Sequence, residues 1–271
     1  MTGTAGRPGA SAPVPGVAPV PSVSVLAVTG IPEIAPGDDL GAVVLAGLAS
    51  AGLELRPWDV LVVTHKVVSK AEGAIVDLAG VVPSPQAIEL ASHVAGDPRL
   101  VEVILGETTR VLRAVPGVLV CETVHGLVCA NAGVDRSNVG GGDTVTLLPR
   151  DPDRAAVRLR DAWLPRSGGG PLGVIVSDTF GRPFREAGVN VAIGVAGLPA
   201  LTDYRGLPDT TGYLMAASAL ATADQIASAA ELVMGKRERV PVALVRGLRW
   251  EGEGRGAGEL IRDPARDVFR R

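Results

Sequence analysis

Residues 60–73 read Val-Leu-Val-Val-Thr-His-Lys-Val-Val-Ser-Lys-Ala-Glu-Gly, and this stretch constrains the chain most. Its first half is apolar and β-branched, the pattern of a buried strand. The apolar run then breaks into Thr64, His65, Lys66, Ser69 and Lys70. Among 26 basic residues only three are lysines, Lys66, Lys70 and Lys236, so two of the three stand four residues apart at the end of one strand. Arginine carries nearly every other positive charge. A lysine is a compact, strongly hydrated point charge suited to a phosphate, whereas arginine favours planar, bidentate contacts. Two readings stay open on this pattern alone: a phosphate site, or a helix start whose lysines are solvated.

Composition narrows what can surround that strand. A chain of 271 residues holds one large domain or two small ones. Aromatic residues make up only 3%, so a core must be built from Val, Leu, Ala and Ile. A net charge of −3 argues against a general nucleic-acid or polyanion binder, so any anion site is local. Cys121 and Cys129 flank an expected hairpin, so a disulfide is geometrically conceivable; without a signal peptide they read instead as two buried thiols, and their spacing is not a zinc pattern. No apolar run is long and uncharged enough for a membrane span, so the expected location is the cytoplasm.

Taken in order, residues 1–22 read as a disordered leader rich in Pro, Ala and Gly. Strands are expected at 23–29, 58–64, 74–78, 118–123, 127–130, 144–148, 172–176, 190–195, 214–220 and 240–245. Helices are expected at 40–51, from Ser84 to about 94, from Asp97-Pro98, from Asp151-Pro152 to about 163, and at 222–235. His93 reads as an ordinary helical histidine, and His125-Gly126 as a hairpin turn. Residues 249–259, rich in Gly and Glu, read as mobile, and 251–271 as a flexible tail or linker.

Three further stretches carry candidate chemistry. Residues 131–143, Asn-Ala-Gly-Val-Asp-Arg-Ser-Asn-Val-Gly-Gly-Gly-Asp, form a long polar loop after a buried strand. Its three glycines suit either close backbone approach to an anion or a flexible turn, and no P-loop lysine follows. Residues 177–186, Ser-Asp-Thr-Phe-Gly-Arg-Pro-Phe-Arg-Glu, are expected to emerge from the end of a strand. There Asp178 and Thr179 offer hard oxygen ligands for magnesium or manganese, and Arg182 and Arg185 could hold phosphate or carboxylate. The plain alternative is an Asp turn with a surface salt bridge. On helix 222–235, Asp224, Ser228 and Glu231 share one face, opposite Ile226, Ala230 and Val233. That polar face is solvated unless it meets Asp178 in space.

Five segments in this order resemble the coenzyme F420-0:L-glutamate (gamma-glutamyl) ligase family. They are Gly-Ile-Pro-Glu-Ile (30–34) with Gly-Asp-Asp-Leu (37–40), Thr-His-Lys-Val-Val-Ser-Lys-Ala-Glu-Gly (64–73), Ala-Asn-Ala-Gly-Val-Asp-Arg-Ser-Asn (130–138), Ser-Asp-Thr-Phe-Gly-Arg-Pro-Phe-Arg (177–185) and Ala-Ala-Glu-Leu-Val-Met-Gly (229–235). The resemblance covers about 23–250. It implies an α+β, mixed-sheet fold particular to the family, with two lobes in an intertwined homodimer. It implies GTP-dependent addition of L-glutamate to coenzyme F420-0, then of further γ-linked glutamates, with no role for nucleic acid or membrane. Ile31, Pro32, Glu33 and Ile34 would line the guanine nucleotide. His65, Lys66 and Lys70 would meet its phosphates, and Asn138 would hold the nucleotide. Asp135, Asp178, Thr179 and Glu231 would hold two magnesium or manganese ions, with potassium raised as a further ion. Lys70, Asp135 and Asp178 would be catalytic. The segment Ala229, Ala230, Glu231, Leu232, Val233, Met234, Gly235 and Lys236 would close over the phosphates. The run Asp-Val-Phe-Arg-Arg (267–271) resembles the one that precedes a reductase domain in some actinobacterial relatives, which implies either a stand-alone ligase or one half of a longer protein.

The implied chemistry suits these residue types. A carboxylate attacks the γ-phosphate of GTP to give an acyl phosphate, and the glutamate amine then displaces phosphate. Several anions must be gathered and neutralised, and no side-chain nucleophile is required. Two other readings use the same residues: a divalent-metal phosphohydrolase working through Asp135 and Asp178, and a non-catalytic guanine-nucleotide-binding module.

Overall fold

The computed structural model describes residues 21–137 and 142–268; the leader expected over 1–22 therefore falls almost wholly outside them. Strand β1 (Ser24–Val28) leads to α1 (Leu40–Ser50), whose Asp39 carboxylate accepts from the Ala42 N–H as an N-cap. Strand β2 (Asp59–Thr64) passes without a linker into α2 (His65–Ala71), and a short β3 (Ile75–Asp77) follows. Ser84 and Asp97 cap α3 (Pro85–Val94) and α4 (Pro98–Gly106), each with proline in its first turn.

Strands β4 (Thr108–Val115), β5 (Val118–Thr123) and β6 (Val128–Ala130) form an antiparallel meander. Strand β7 (Thr144–Thr146) pairs back to β3. Then come α5 (Pro152–Trp163), β8 (Leu172–Arg182), β9 (Arg185–Ala196), two short paired strands β10 (Thr202–Asp203) and β11 (Ala219–Leu220), α6 (Thr222–Met234) and β12 (Val242–Arg246).

The central sheet runs β1-β12-β2-β8-β9. Only β2 and β8 are parallel; the other neighbours are antiparallel, so the sheet is mixed and the class is α+β. Both faces are covered, which explains why β2 reads as an unbroken apolar run. Leu61 and Val63 pack with α1 and α5, while Val60 and Val62 pack with α6. Trp163 is fully buried on the first face and donates its indole N–H to the Gly41 carbonyl at 2.9 Å, joining α5 to α1. Where α5 meets β9, Gly194 lies against the Pro152 backbone, and a methyl group there would overlap the Pro152 carbonyl. A third cluster joins Leu78, α3, α4, β5 and Val145.

Four readings change. β4 is not evident from its sequence because register shifts break its alternation twice. Residues 177–182 are not a loop leaving the sheet. They continue β8 and pair with β9 as far as Arg182↔Arg185, a ribbon whose polar side chains need no core. Of the strand expected at 214–220, only Ala219–Leu220 is one. The stretch 249–259 is tied at two points: Trp250 donates to the Gly197 carbonyl, and the N–H of buried Ala257 donates to Asp153. Among the described residues no helix is long and apolar enough to cross a membrane.

Candidate active site

The junction of β2 and α2 builds the site. Thr64 pairs in register with Ser177, so the first residue of α2 faces the residue after Ser177. His65, buried, brings Nε2 to 3.3 Å from Asp178 Oδ1, without hydrogen-bond alignment, and its Nδ1 lies 3.4 Å from Ser69 Oγ one turn on. The other i,i+4 pair of this short helix is Lys66 and Lys70. Lys66 Nζ stands 2.6 Å from Asp135 Oδ2 and donates to Ser137 Oγ at 2.6 Å. Lys70, buried, donates to Glu33 in the loop after β1.

The third lysine arrives from the far end of the chain. Lys236, just beyond α6, donates to Thr179 Oγ1 on β8 and lies 3.5 Å from Glu231 Oε1. The Thr179 hydroxyl in turn donates to Asn190 Oδ1 at 2.7 Å. These groups enclose a cleft of about 460 Å³. Its lining includes Ile31, Pro32, Glu33, Ile34, Lys66, Lys70, Thr179, Asn190, Glu231, Met234, Gly235, Lys236, Arg237 and Arg239.

The expected site residues thus divide. The cleft gathers the 31–34 loop, all three lysines, Thr179 and the end of α6. His65, Asp135 and Asp178 stand behind Lys66 and the β8 ribbon and are absent from the lining. Ala230 is buried in the core, Val233 packs against it, Leu232 is 85% exposed, and Ala229 is half-buried away from the cleft. Asn138 lies outside the described residues, as do residues 139–141 of the Gly-rich loop.

The polar face of α6 is not a solvated surface. Asp224 accepts from the Ala192 N–H at 2.8 Å, Ser228 donates to the Asn190 carbonyl at 2.7 Å, and Glu231 alone of the three reaches the cleft. Burial pushes the Asp224 carboxyl up, as expected for a carboxylate used to stitch a helix to a strand. No motif of the sequence points to Asn190, Arg237 or Arg239. Asn190 carries a signal in hindsight, being the single polar side chain in the run Val-Asn-Val-Ala-Ile of β9.

Asp135 is held by its surroundings. Burial raises its carboxyl pKa, but the Lys66 ammonium and the Ser137 N–H and hydroxyl outweigh that and leave it below the ordinary value. The described ends of its loop are tethered to the start of α4. Arg136 pairs with Asp97 at 3.0 Å, and Arg99 bridges Asp97 at 2.8 Å and Asp143 at 3.0 Å. The Arg99 guanidinium beside Asp97 holds that carboxyl well below the usual carboxylate range. A depressed folded-state pKa means the contribution is full above the ordinary value near 4 and is lost as pH falls through the folded value. Asp97→Asn keeps the helix cap and removes the charge. It is expected to lower stability by about 1 kcal/mol at neutral pH, the upper end for a surface network, and by clearly less near pH 2, where the unfolded-state carboxyl is already protonated. Thermal denaturation of both proteins at the two pH values checks this; an equal loss at both would contradict it.

Cys121 and Cys129 are free and buried and face each other across β5 and β6. Burial, with the Asp178 carboxylate nearby, pushes the Cys129 thiol up to about 12. His125 donates to the Pro149 carbonyl at 3.0 Å and serves its turn; His93 is exposed on α3.

The donor set of Asp135, Asp178, Glu231 and the Thr179 hydroxyl is all hard oxygen, which fits magnesium or manganese. Among the described residues no three acidic, His or Cys side chains surround one point. The ammonium groups of Lys66 and Lys236 instead stand as the local cations on Asp135, Thr179 and Glu231.

A family model described as F420-0:gamma-glutamyl ligase matches residues 29–247. A coenzyme F420:L-glutamate ligase of Methanothermobacter thermautotrophicus is 43% identical over 252 residues, covering 92% of this chain and 99% of that protein. One of Methanopyrus kandleri is 48% identical over 244 residues, covering 88% and 94%. One of Methanocaldococcus jannaschii is 41% identical over 218 residues, covering 80% and 86%. The family match spans the β1 loop, the β2–α2 junction, the β8 ribbon and the end of α6 that meet around the cleft, and the chain belongs to the F420-0:gamma-glutamyl ligase family.

Proposed function

We propose that this chain is a GTP-dependent ligase that joins L-glutamate to coenzyme F420-0 by an amide bond, then adds further γ-linked glutamates. The observation that carries this is the convergence of all three lysines of the chain on one cleft. Two of them come from one turn of α2 and the third from 166 positions on, so local sequence alone does not explain the meeting. A triphosphate, an acceptor carboxylate and an amino acid with two carboxylates bring many negative charges together, and three point charges in one cleft answer that need.

In the first step an oxygen of the acceptor carboxylate bonds to the γ-phosphorus of GTP and GDP leaves. In the second the glutamate amine bonds to the acyl carbon, phosphate leaves and the amine gives up a proton. Lys66, Lys70 and Lys236 neutralise and align the phosphates, and the 31–34 loop lines the nucleotide, with His65 behind it. Asp135, Asp178, Thr179 and Glu231 would hold two magnesium or manganese ions. Such ions supply neutralisation of the transferring phosphoryl group when bound. Lys66 and Lys236 then exchange those oxygens for phosphate oxygens.

The homodimer belongs to the same proposal. Exposed Tyr204, Leu207, Tyr213, Leu214 and Leu220 lie on the 202–220 segment and offer an apolar surface for a second copy; the mass found by sedimentation, one chain or two, decides that point.

The test is product analysis after incubation with GTP, L-glutamate, coenzyme F420-0, manganese or magnesium, and potassium. The expected result is an acceptor heavier by glutamate residues and one GDP per amide. Phosphate release at the same rate without acceptor, with no amide formed, would assign the phosphohydrolase reading instead.

A further inference from the structure

Two cations of the cleft have no part in the account above. Arg237 and Arg239 stand on the 235–241 connection between α6 and β12, and both line the cleft. Each lysine already rests on an oxygen of the protein: Lys66 on Asp135, Lys70 on Glu33, Lys236 on Thr179 and Glu231. Among the described residues neither guanidinium group has a carboxylate within ion-pair distance. Two exposed guanidinium forks on residues that line the cleft, with no carboxylate in ion-pair range among the described residues, offer bidentate geometry, which matches a carboxylate better than a point charge does.

The backbone of the same connection already holds a carboxylate. The Arg237 N–H donates to Glu238 Oε2 at 2.8 Å, and the Glu238 side chain folds back over Gly235, whose φ of +61° leaves it room. The N–H groups of Arg237, Glu238 and Lys236 keep that carboxyl below its usual range. Successive N–H groups of this kind form a small anion-binding concavity. Arg239 keeps a left-handed backbone (φ +56°), a conformation that costs a residue with a Cβ about 1 kcal/mol and is held by its surroundings.

We propose that Arg237 and Arg239 form the carboxylate subsite of the cleft and bind the entering amino acid, L-glutamate, through a carboxylate. This rests on the ligase reading and adds to it which residues select the amino acid. The chemistry divides the cations accordingly. Lysines serve the phosphates. The two arginines hold a carboxylate of the amino acid and leave its amine free to attack. An amino acid without a second carboxylate has less to offer them.

The test uses the full chain and the variants R237Q, R239Q and R239K. Each Gln variant is expected to raise KM for L-glutamate about tenfold or more, the loss of one charge-assisted contact. In these variants kcat falls far less than KM rises, and affinity for GTP, titrated alone, stays within about twofold of the parent. R239K is expected to recover part of the lost KM. Weakened GTP binding with an unchanged glutamate KM would assign the arginines to the nucleotide, and no change in either would make them a solvated rim; both results overturn the proposal. Should the parent protein form no amide, the ligase reading fails on that control. Protection from thermal unfolding by L-glutamate then reads the subsite by itself: protection lost in R237Q and R239Q supports it, and equal or absent protection in all proteins overturns it.

Discussion

Asp178→Asn is expected to reduce amide formation by on the order of 10²–10³-fold while the protein stays folded. Asp178 follows the last residue of β8 that pairs with β2, and its side chain is only 16% exposed. The amide keeps the shape and keeps an oxygen to accept from the Thr179 N–H, which now donates to Oδ1 at 2.7 Å. What it removes is a negative charge beside His65 and next to Thr179. In the proposed reaction that carboxylate would hold a divalent ion, whose charge would help neutralise the transferring phosphoryl group, so the loss is expected to fall on the chemical step. A rate measured at saturating GTP and glutamate, with a thermal melt as control for folding, reads this. Unchanged glutamylation would remove Asp178 from the site.

Lys70→Ala is expected to weaken GTP binding by about 10–100-fold, the range for losing a hydrogen bond to a charged group. The effect on folding is smaller, for a reason visible in its partner. Glu33 is 79% exposed in its side chain, so losing Lys70 leaves no buried, uncompensated carboxylate. What remains is the burial of the lysine stem, worth about 1 kcal/mol. Titration of GTP onto variant and parent, beside denaturant unfolding of both, separates the two terms. Equal GTP affinity would return Lys70 to a structural ion pair with Glu33.

Much of this arrangement is legible in the sequence. The break from Val63 to Lys70 marked the end of a buried strand and the start of a helix because burial and charge change abruptly there. Caps at Asp39, Ser84, Asp97 and Asp151 fixed four helix starts because their side chains satisfy local N–H groups. The α6 register correctly separated Ile226 and Ala230 from Glu231.

What was not legible depends on partners distant in sequence. Residues 177–182 look like a loop because their strand is stabilised by pairing with β9 and not by apolar burial. Asp224 and Ser228 look solvated because their respective donor and acceptor, the Ala192 N–H and the Asn190 carbonyl, lie on β9. Arg237 and Arg239 carry no local pattern; only the turn after Gly235 brings them to the wall that Lys66 and Lys70 form from the other end of the chain.

The central claim is that GTP in the three-lysine cleft activates a carboxylate by phosphorylating it. Labelling the acceptor carboxylate with ¹⁸O and measuring the phosphate released during glutamylation tests that most directly. The account predicts one ¹⁸O atom transferred to phosphate for the first amide formed on each labelled acceptor. Unlabelled phosphate released in that first addition would contradict it.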